Sequence, residues 1–537
     1  MVQLRSLRFA LLTAPLVISP IFTSPVLAAA ADLPAPGTTA SLLEALSLIS
    51  GGMLVAPMLA PEVTQDGTRF RVHIPVPKLT SPPDAAIEVA ATALDSGAWD
   101  ITSFTLPKTG TLVTTMPAPN TPKPNLSAPN RPAIGAAPAG IPAAEPAPAA
   151  PPLSMRFTIG QQSSHARVDP TLSVPSQYAM DLRDIGLHID GAASMDLTFT
   201  KATADGTITG DADHHMTNRS RGKVEDGRLT VSNPAGAPFT LSLRSAEALY
   251  DLDGLDRAQA ARWHETTRAL AENRPEQAAA VPGTPRSPLP LQHQQLLALI
   301  DASKGLLTGI NIDETFAGLH FEAAGGTSGD IREVHFVMAG GARDDRMAGH
   351  YDMALDDLKL TGVPPQFAQY VPRRIAFKTA VSGIPVEKLR TLLRESLDAP
   401  ADAAEARSKA ITLLNEPGAH AGIEALLIEM GPLLIQGSGQ VHPLPDGSAG
   451  FDVHLTAHGV DAMLALIQAD PKSQQMMPML FLAKGMAKPE GDTLVWNIAF
   501  AGGVVTINGV PMGQRPGGPP GGAPGGSLRG ARPPGNR

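Results

Sequence analysis

The sequence predicts a β-rich α+β fold in which helices pack on a long antiparallel sheet. Three observations lead to this prediction. Apolar and polar residues alternate over many short segments, Gly and Pro supply 51 and 52 of the 537 residues, and aromatic residues make up only 4%. Alternation is expected of a sheet with one buried face. Abundant Gly and Pro suit short strands joined by turns better than long exposed helices.

The clearest alternation occurs in a set of segments that we predict to be strands. They are residues 153–159, 195–200, 239–244, 319–323, 334–338 and 451–456. Dipeptides typical of tight turns lie between or beside these segments. They are Asp205-Gly206, Asp226-Gly227, Asp446-Gly447 and Gly502-Gly503.

Helices are predicted where apolar residues recur at helical spacing. Two of these segments are residues 256–273 and 291–307. The apolar faces of two further predicted helices consist of Val386, Leu389, Leu392, Leu393 and Leu397, and of Ile423, Leu426, Leu427 and Met430. We expect all of these helices to lie back on the sheet.

A weak internal repeat joins strands to helices. In each copy a strand-like segment reaches a Gly, then Val or Ile, then Pro or Asp, and a helical pattern follows. The glycines are Gly362, Gly383 and Gly459. Gly permits the positive φ of a sharp corner, and Pro or Asp suits the start of a helix. The irregular spacing of the copies excludes a solenoid of fixed period.

These corners and the terminal hairpin at residues 496–511 resemble features of exported bacterial proteins. Over residues 153–512 the chain loosely resembles uncharacterised alphaproteobacterial envelope families similar to AsmA-like proteins. The resemblance implies a long curved sheet whose apolar concave side holds or passes lipid acyl chains. AsmA-like proteins usually keep an N-terminal membrane anchor, and a Pro-rich insertion is atypical of them, so the chain departs from the pattern in both respects.

The first residues are typical of a cleaved export signal. Arg5 and Arg8 precede an apolar stretch at residues 9–22, and residues 26–28 have the small-x-small pattern of a cleavage site. Prolines interrupt the stretch, which argues against the alternative of a retained spanning helix. We therefore expect export and a periplasmic location.

Composition divides the rest of the chain and excludes several classes of function. The expected parts are a signal at 1–28, an N-terminal part of the β-rich domain at 29–115, a disordered Pro/Ala-rich linker or loop at 116–152, the main domain at 153–512 and a Gly/Pro/Arg tail at 513–537. The absence of Cys removes disulfides, zinc-thiolate sites and cysteine nucleophiles. A net charge of −9 argues against nucleic-acid binding.

Candidate reactive residues each have a simpler structural interpretation. Asp95-Ser96-Gly97 matches an aspartic-protease loop, but that chemistry needs a second such carboxylate, so we predict a hairpin turn. Metal ligation by Asp211, Asp213, His214 and His215 is disfavoured because adjacent strand residues point to opposite faces. His442, His454 and His458 lack a carboxylate at ligand spacing, and His454 should share the solvent face with Asp452. We therefore assign no catalytic, cofactor-binding or metal-binding residue and expect no cofactor.

One apolar cluster has two interpretations. It consists of Met476, Met477, Met479, Leu480, Phe481 and Leu482. Methionine adapts to irregular partners, so this cluster, with Leu54, Met58 and Leu59, either lines a groove or contacts a partner, or it belongs to an ordinary core.

The sequence therefore predicts a non-enzymatic periplasmic envelope protein that binds lipid or another envelope component. An envelope scaffold is the alternative, and an exported hydrolase ranks third because no nucleophile and base can be paired. The expected partners are lipids or envelope proteins, with peripheral membrane contact and no nucleic acid.

Overall fold

The computed structural model describes residues 35–50, 61–114, 153–256, 297–398, 403–469 and 477–512, with isolated residues 258, 259, 262 and 266. Short interruptions occur at 77–78, 83, 170–173, 192–193, 211–215, 233–237, 303, 306–307, 324–325, 364–367 and 369. The predicted signal, Pro/Ala-rich linker and tail lie outside the described residues. So do most of the predicted helix at 256–273 and part of that at 291–307.

The described chain is mostly β. The first group of strands is Glu62–Asp66 (β1), Arg69–Pro75 (β2), Leu79–Ser81 (β3), Ala86–Ala93 (β4), Trp99–Thr105 (β5), Thr109–Thr114 (β6), Leu153–Asp169 (β7), Val174–Asp190 (β8), Ser194–Thr209 (β9), Met216–Ser232 (β10) and Phe239–Leu255 (β11). The second group is Gly309–Ala323 (β12), Thr327–Arg343 (β13), Arg346–Asp356 (β14), Lys359–Thr361 (β15), Arg374–Pro385 (β16), His420–Met430 (β17), Leu433–Pro443 (β18), Ala449–His458 (β19), Lys488–Glu490 (β20), Thr493–Ala501 (β21), Val504–Ile507 (β22) and Val510–Met512 (β23).

The strands form one long, unclosed antiparallel sheet, which confirms the predicted fold class. From β7 onward most strands pair with the next strand along the chain, so the topology is a meander. The N-terminal strands join the same sheet, because β5 and β6 both pair with β7. Helices in the described chain include Thr39–Ser50 (α1), Val386–Asp398 (α2), Ala403–Thr412 (α3), Val460–Ala469 (α4) and Met477–Met486 (α5), with a 3₁₀ turn at Leu413–Asn415. Residues 297–302, within the helix predicted at 291–307, are also helical.

All six predicted strand segments lie within strands, and several of these strands are much longer than the alternation indicated. The helix predicted from Val386 to Leu397 is α2. The helix predicted at residues 423–430 is wrong, because this segment is strand β17. A register shift between Ile423 and Leu426 adds an extra residue to the strand. The bulge puts two apolar residues three positions apart on one face, which imitates helical spacing.

Two of the predicted turns are also wrong. Asp205-Gly206 lies inside β9 and Asp226-Gly227 lies inside β10. Gly206 makes room for an aromatic ring, since a Cβ there would come within 2.4 Å of Tyr178. Asp226 does have the positive φ that its turn chemistry favours, at 50°, but the strand continues beyond it. The turns at residues 446–447 and 502–503 are confirmed.

A line of special backbone positions crosses the middle of the sheet. Asp184 in β8, Asp226 in β10, Gly318 in β12 and Asp357 after β14 all have positive φ. On either side of this line, residues three positions apart enter the same apolar cluster, as Leu182 and Ile185 do. In β8 the alternation therefore changes phase at the line, and the two residues between Leu182 and Ile185 do not belong to the cluster.

The three repeated corners share one geometry. Gly362, Gly383 and Gly459 have φ between 70° and 75°, as predicted. A Cβ at each would lie 2.7, 2.0 and 1.9 Å, respectively, from a backbone carbonyl oxygen of a neighbouring turn. Helix α2 follows the second corner and α4 follows the third. The helix predicted after Gly362 falls largely on residues outside the described part.

Candidate functional site

The sheet has one apolar face that extends across strands β11 to β22. Residues that pair directly across neighbouring strands form four rows, and each row crosses these strands on this face. Row 1 is Ala248, Glu314, Phe336, Met353, Phe377, Leu426, Gly437, Leu455 and Trp496. Row 2 is Tyr250, Ile312, Met338, Tyr351, Thr379, Ile423, Gly439, Val453, Ile498 and Ile507.

The other two rows continue the same face. Row 3 is Ala246, Phe316, Val334, Leu355, Ile375, Ile428, Ile435, Ala457 and Leu494. Row 4 is Leu252, Ile310, Gly340, Gly349, Val381, Ala421, Val441, Phe451, Phe500 and Val505. We call these four rows the apolar face.

The apolar face is open along most of its length. Of its residues only Val334 and Ala457 are buried. The exposed fractions of Met338, Ile423, Phe451 and Val505 are 46%, 38%, 42% and 37%. Soluble proteins rarely leave a long contiguous apolar surface uncovered unless it binds something.

The two ends of the sheet contrast with this open stretch. At the N-terminal end, Leu42 and Leu46 of α1 pack with Phe70 and Trp99 in a cluster whose large side chains are fully buried. At the C-terminal end, the Trp496 Nε1 donates a hydrogen bond to the Ala483 carbonyl oxygen of α5 at 2.8 Å. Helix α1 therefore covers the sheet at its N-terminal end, and α5 contacts the apolar face at Trp496.

Aromatic rings form a row within the apolar face. Phe316 and Phe336 meet edge to face with centroids 6.1 Å apart. The next contacts are Phe336 with Tyr351 at 6.4 Å and Tyr351 with Phe377 at 5.5 Å. Such pairs stabilise neighbouring strands, and their half-buried rings also offer flat apolar surface to a ligand.

Glu314 is the one charged residue within the four rows. The Tyr250 hydroxyl donates a hydrogen bond to its Oε1 atom at 2.9 Å. Burial raises the pKa of the Glu314 carboxyl despite this bond, which acts in the opposite direction. Burial, with the nearby Glu314 charge, likewise raises the pKa of Tyr351. The sequence alone did not identify Glu314 as a candidate.

The opposite face of the sheet carries charges and histidines in cross-strand pairs. His188 lies between Asp196 and Asp190, 2.8 Å from the Asp190 Oδ1. His320 similarly contacts Asp330 at 2.8 Å and Glu322 at 3.4 Å. Hydrogen bonds to these carboxylates raise the pKa of both histidines. This face is therefore well suited to water.

The candidate histidines belong to that polar face. The His454 Nδ1 lies 2.8 Å from the Asn497 Oδ1, and the His442 Nδ1 lies 3.3 Å from the Asp452 Oδ2. His454 and Asp452 are exposed on one face, as predicted. An open depression of about 650 Å³ includes both residues. His458 lies apart from them, next to Thr493 at 3.1 Å.

The remaining candidates are one turn and one group that lies outside the described residues. Asp95-Ser96-Gly97 is the turn between β4 and β5, where Gly97 has a φ of 81° and its N–H donates to the Leu94 carbonyl oxygen. Asp211, Asp213, His214 and His215 lie outside the described residues. Across the described chain, no group of three or more His, Asp or Glu side chains is placed to hold a metal ion.

The methionine-rich cluster is only partly within the described structure. Met477 and Leu480 of α5 are half-buried, while Phe481 and Leu482 are 55% and 58% exposed. Met476, Leu54, Met58 and Leu59 lie outside the described residues. The apolar surface found here is therefore built by strands, and α5 contributes a smaller exposed patch beside it.

Among the helices that the structure describes, none is both long enough and apolar enough to cross a bilayer. Comparison with known families, curated proteins and solved structures gives no match to this chain.

Proposed function

We propose that this protein binds lipid acyl chains along its apolar face and has no catalytic role. The observation that carries the proposal is the open stretch from β11 to β22, where large apolar side chains stay exposed. An acyl chain laid on these rows would bury its methylene groups, each contributing about 0.8 kcal/mol. The opposite, polar face would remain in water. The predicted export signal and the resemblance to AsmA-like envelope proteins support the same proposal and the periplasm as its location.

The proposal is tested with a fluorescent fatty acid and the purified full chain. Ile423→Glu places a carboxylate on the apolar face, at a position that is 38% exposed. Leu249→Glu is the matched control, because Leu249 is also 38% exposed but points to the opposite face, between Ala248 and Tyr250. We expect Ile423→Glu to weaken binding at least tenfold, since burying a charge against an acyl chain is costly.

Equal loss of binding in both variants, or no saturable binding by the parent chain, would contradict the proposal. In the second case the envelope-scaffold alternative would remain. Circular dichroism of each variant checks that the β content is unchanged, so that a loss of binding is not mistaken for unfolding.

A further inference from the structure

Glu314 occupies a position where burial makes a charge costly. It lies directly between Ala248 and Phe336 in the registered rows. In the described part of the chain no Lys, Arg or His lies within ion-pair distance of its carboxylate. It accepts a hydrogen bond from the neutral Tyr250 hydroxyl. A carboxylate in such surroundings attracts a cation.

Aromatic residues lie on the strands to either side of this carboxylate, Tyr250 on β11 and Phe336 on β13. Phe336 is its registered neighbour on β13 and contacts both Phe316 and Tyr351. Tyr351 is close enough for the Glu314 charge to affect its hydroxyl. Ring faces attract organic cations, and the attraction grows when water is partly excluded. A carboxylate beside several rings therefore has the composition of an ammonium-binding site.

We propose that Glu314, together with the rings of Tyr250, Phe336 and Tyr351, binds the ammonium head group of a lipid whose acyl chain lies along the apolar face. This inference rests on the proposed acyl-chain binding and adds the chemical class of the head group. The carboxylate supplies the countercharge, and the rings cover the methyl or methylene groups next to the nitrogen. The apolar rows then run from this site toward β22 and accommodate the chain.

Three amphiphiles with the same twelve-carbon tail test the inference by calorimetry, each below its micellar concentration. Dodecyltrimethylammonium carries the cation, dodecyl maltoside is neutral and dodecyl sulfate is an anion. The full chain should bind the cation roughly tenfold more tightly than the neutral amphiphile. Glu314→Gln should remove that preference and leave binding of dodecyl maltoside unchanged.

Glu322→Gln is the matched control, because Glu322 lies on the same strand in an exposed position beside His320. It should keep the preference for the cation. Tetramethylammonium alone distinguishes a lipid site from a site for small amines, and we expect it to bind at least a hundredfold more weakly, because it lacks the tail.

Equal affinities for the cation and the neutral amphiphile, or an unchanged preference in Glu314→Gln, would overturn the head-group inference while leaving acyl-chain binding intact. Failure of all three amphiphiles to bind would overturn the proposed function as well. Tight binding of tetramethylammonium, which has no tail, would show a site for small amines and would also contradict the inference.

Discussion

The N-terminal end of the sheet and the stretch from β11 to β22 use the same alternating pattern with different outcomes. At the N-terminal end α1 covers the apolar side chains, so Phe70 is 1% exposed and Trp99 is fully buried. Between β11 and β22 equally apolar side chains remain partly exposed, as Met338 does at 46%. Alternation therefore specifies which face is apolar, whereas a covering helix decides whether that face becomes a core or stays open as a surface.

The largest expected effect is a contrast between two identical substitutions. Phe70→Ala removes a fully buried ring whose centroid is 5.0 Å from that of Trp99, and should lower the free energy of unfolding by about 3–5 kcal/mol. Phe336→Ala removes a half-buried ring on the apolar face and should cost about 1–2 kcal/mol. Denaturant unfolding of both variants measures the difference. Similar costs would contradict the distinction between core and open face.

A smaller effect is expected at the corners that connect strands to helices. Gly383→Ala adds a Cβ at a φ of 70°, within 2.0 Å of the Gly418 carbonyl oxygen, and should cost about 1–3 kcal/mol. Gly222→Ala in β10 is the control, because a Cβ there meets no atom within 4 Å. That control should change stability by at most about 0.5 kcal/mol. Thermal unfolding checks both, and a tolerated Gly383→Ala would rule out the strained corner.

The smallest effect concerns Glu314 and its dependence on pH. Burial raises the pKa of this carboxyl in the folded protein. The protonated form therefore stabilises the fold at pH values below the pKa in the unfolded chain, about 4.3. This contribution is lost as the pH rises through the folded-state pKa. Glu314→Gln should therefore leave stability at pH 7 unchanged or raise it by up to about 1 kcal/mol. Urea unfolding at pH 7 and at pH 4 measures this, and a clear destabilisation at pH 7 would contradict it.

The sequence predicted the strands well where the alternation was unbroken, as in β19. It failed where a strand contains a local irregularity. The bulge between Ile423 and Leu426 imitated a helix, and Asp226 satisfied the backbone chemistry of a turn while remaining inside a strand. Both failures have one physical cause, since local spacing does not show whether a phase change bends a strand or ends it.

The candidate site was harder to predict than the fold. Glu314 left a readable trace, because it continues the apolar phase of Ile310 and Ile312 and precedes Phe316 at the same two-residue spacing. Its significance depends on Tyr250 and Phe336, which lie far from it in the sequence and meet it only through strand pairing. The openness of the face depends on where the helices lie, and residue spacing does not give that.

Because the chain contains no Cys, single cysteines can report where an acyl chain lies. We would attach a fluorophore to Met338→Cys on the apolar face and, separately, to Leu249→Cys on the opposite face, and titrate each with a fatty acid that carries a nitroxide quencher near its tail. Lipid on the apolar face should quench the first label strongly and leave the second nearly unchanged. Equal quenching at both positions, or stronger quenching at Leu249→Cys, would show that the acyl chain does not lie on the apolar face.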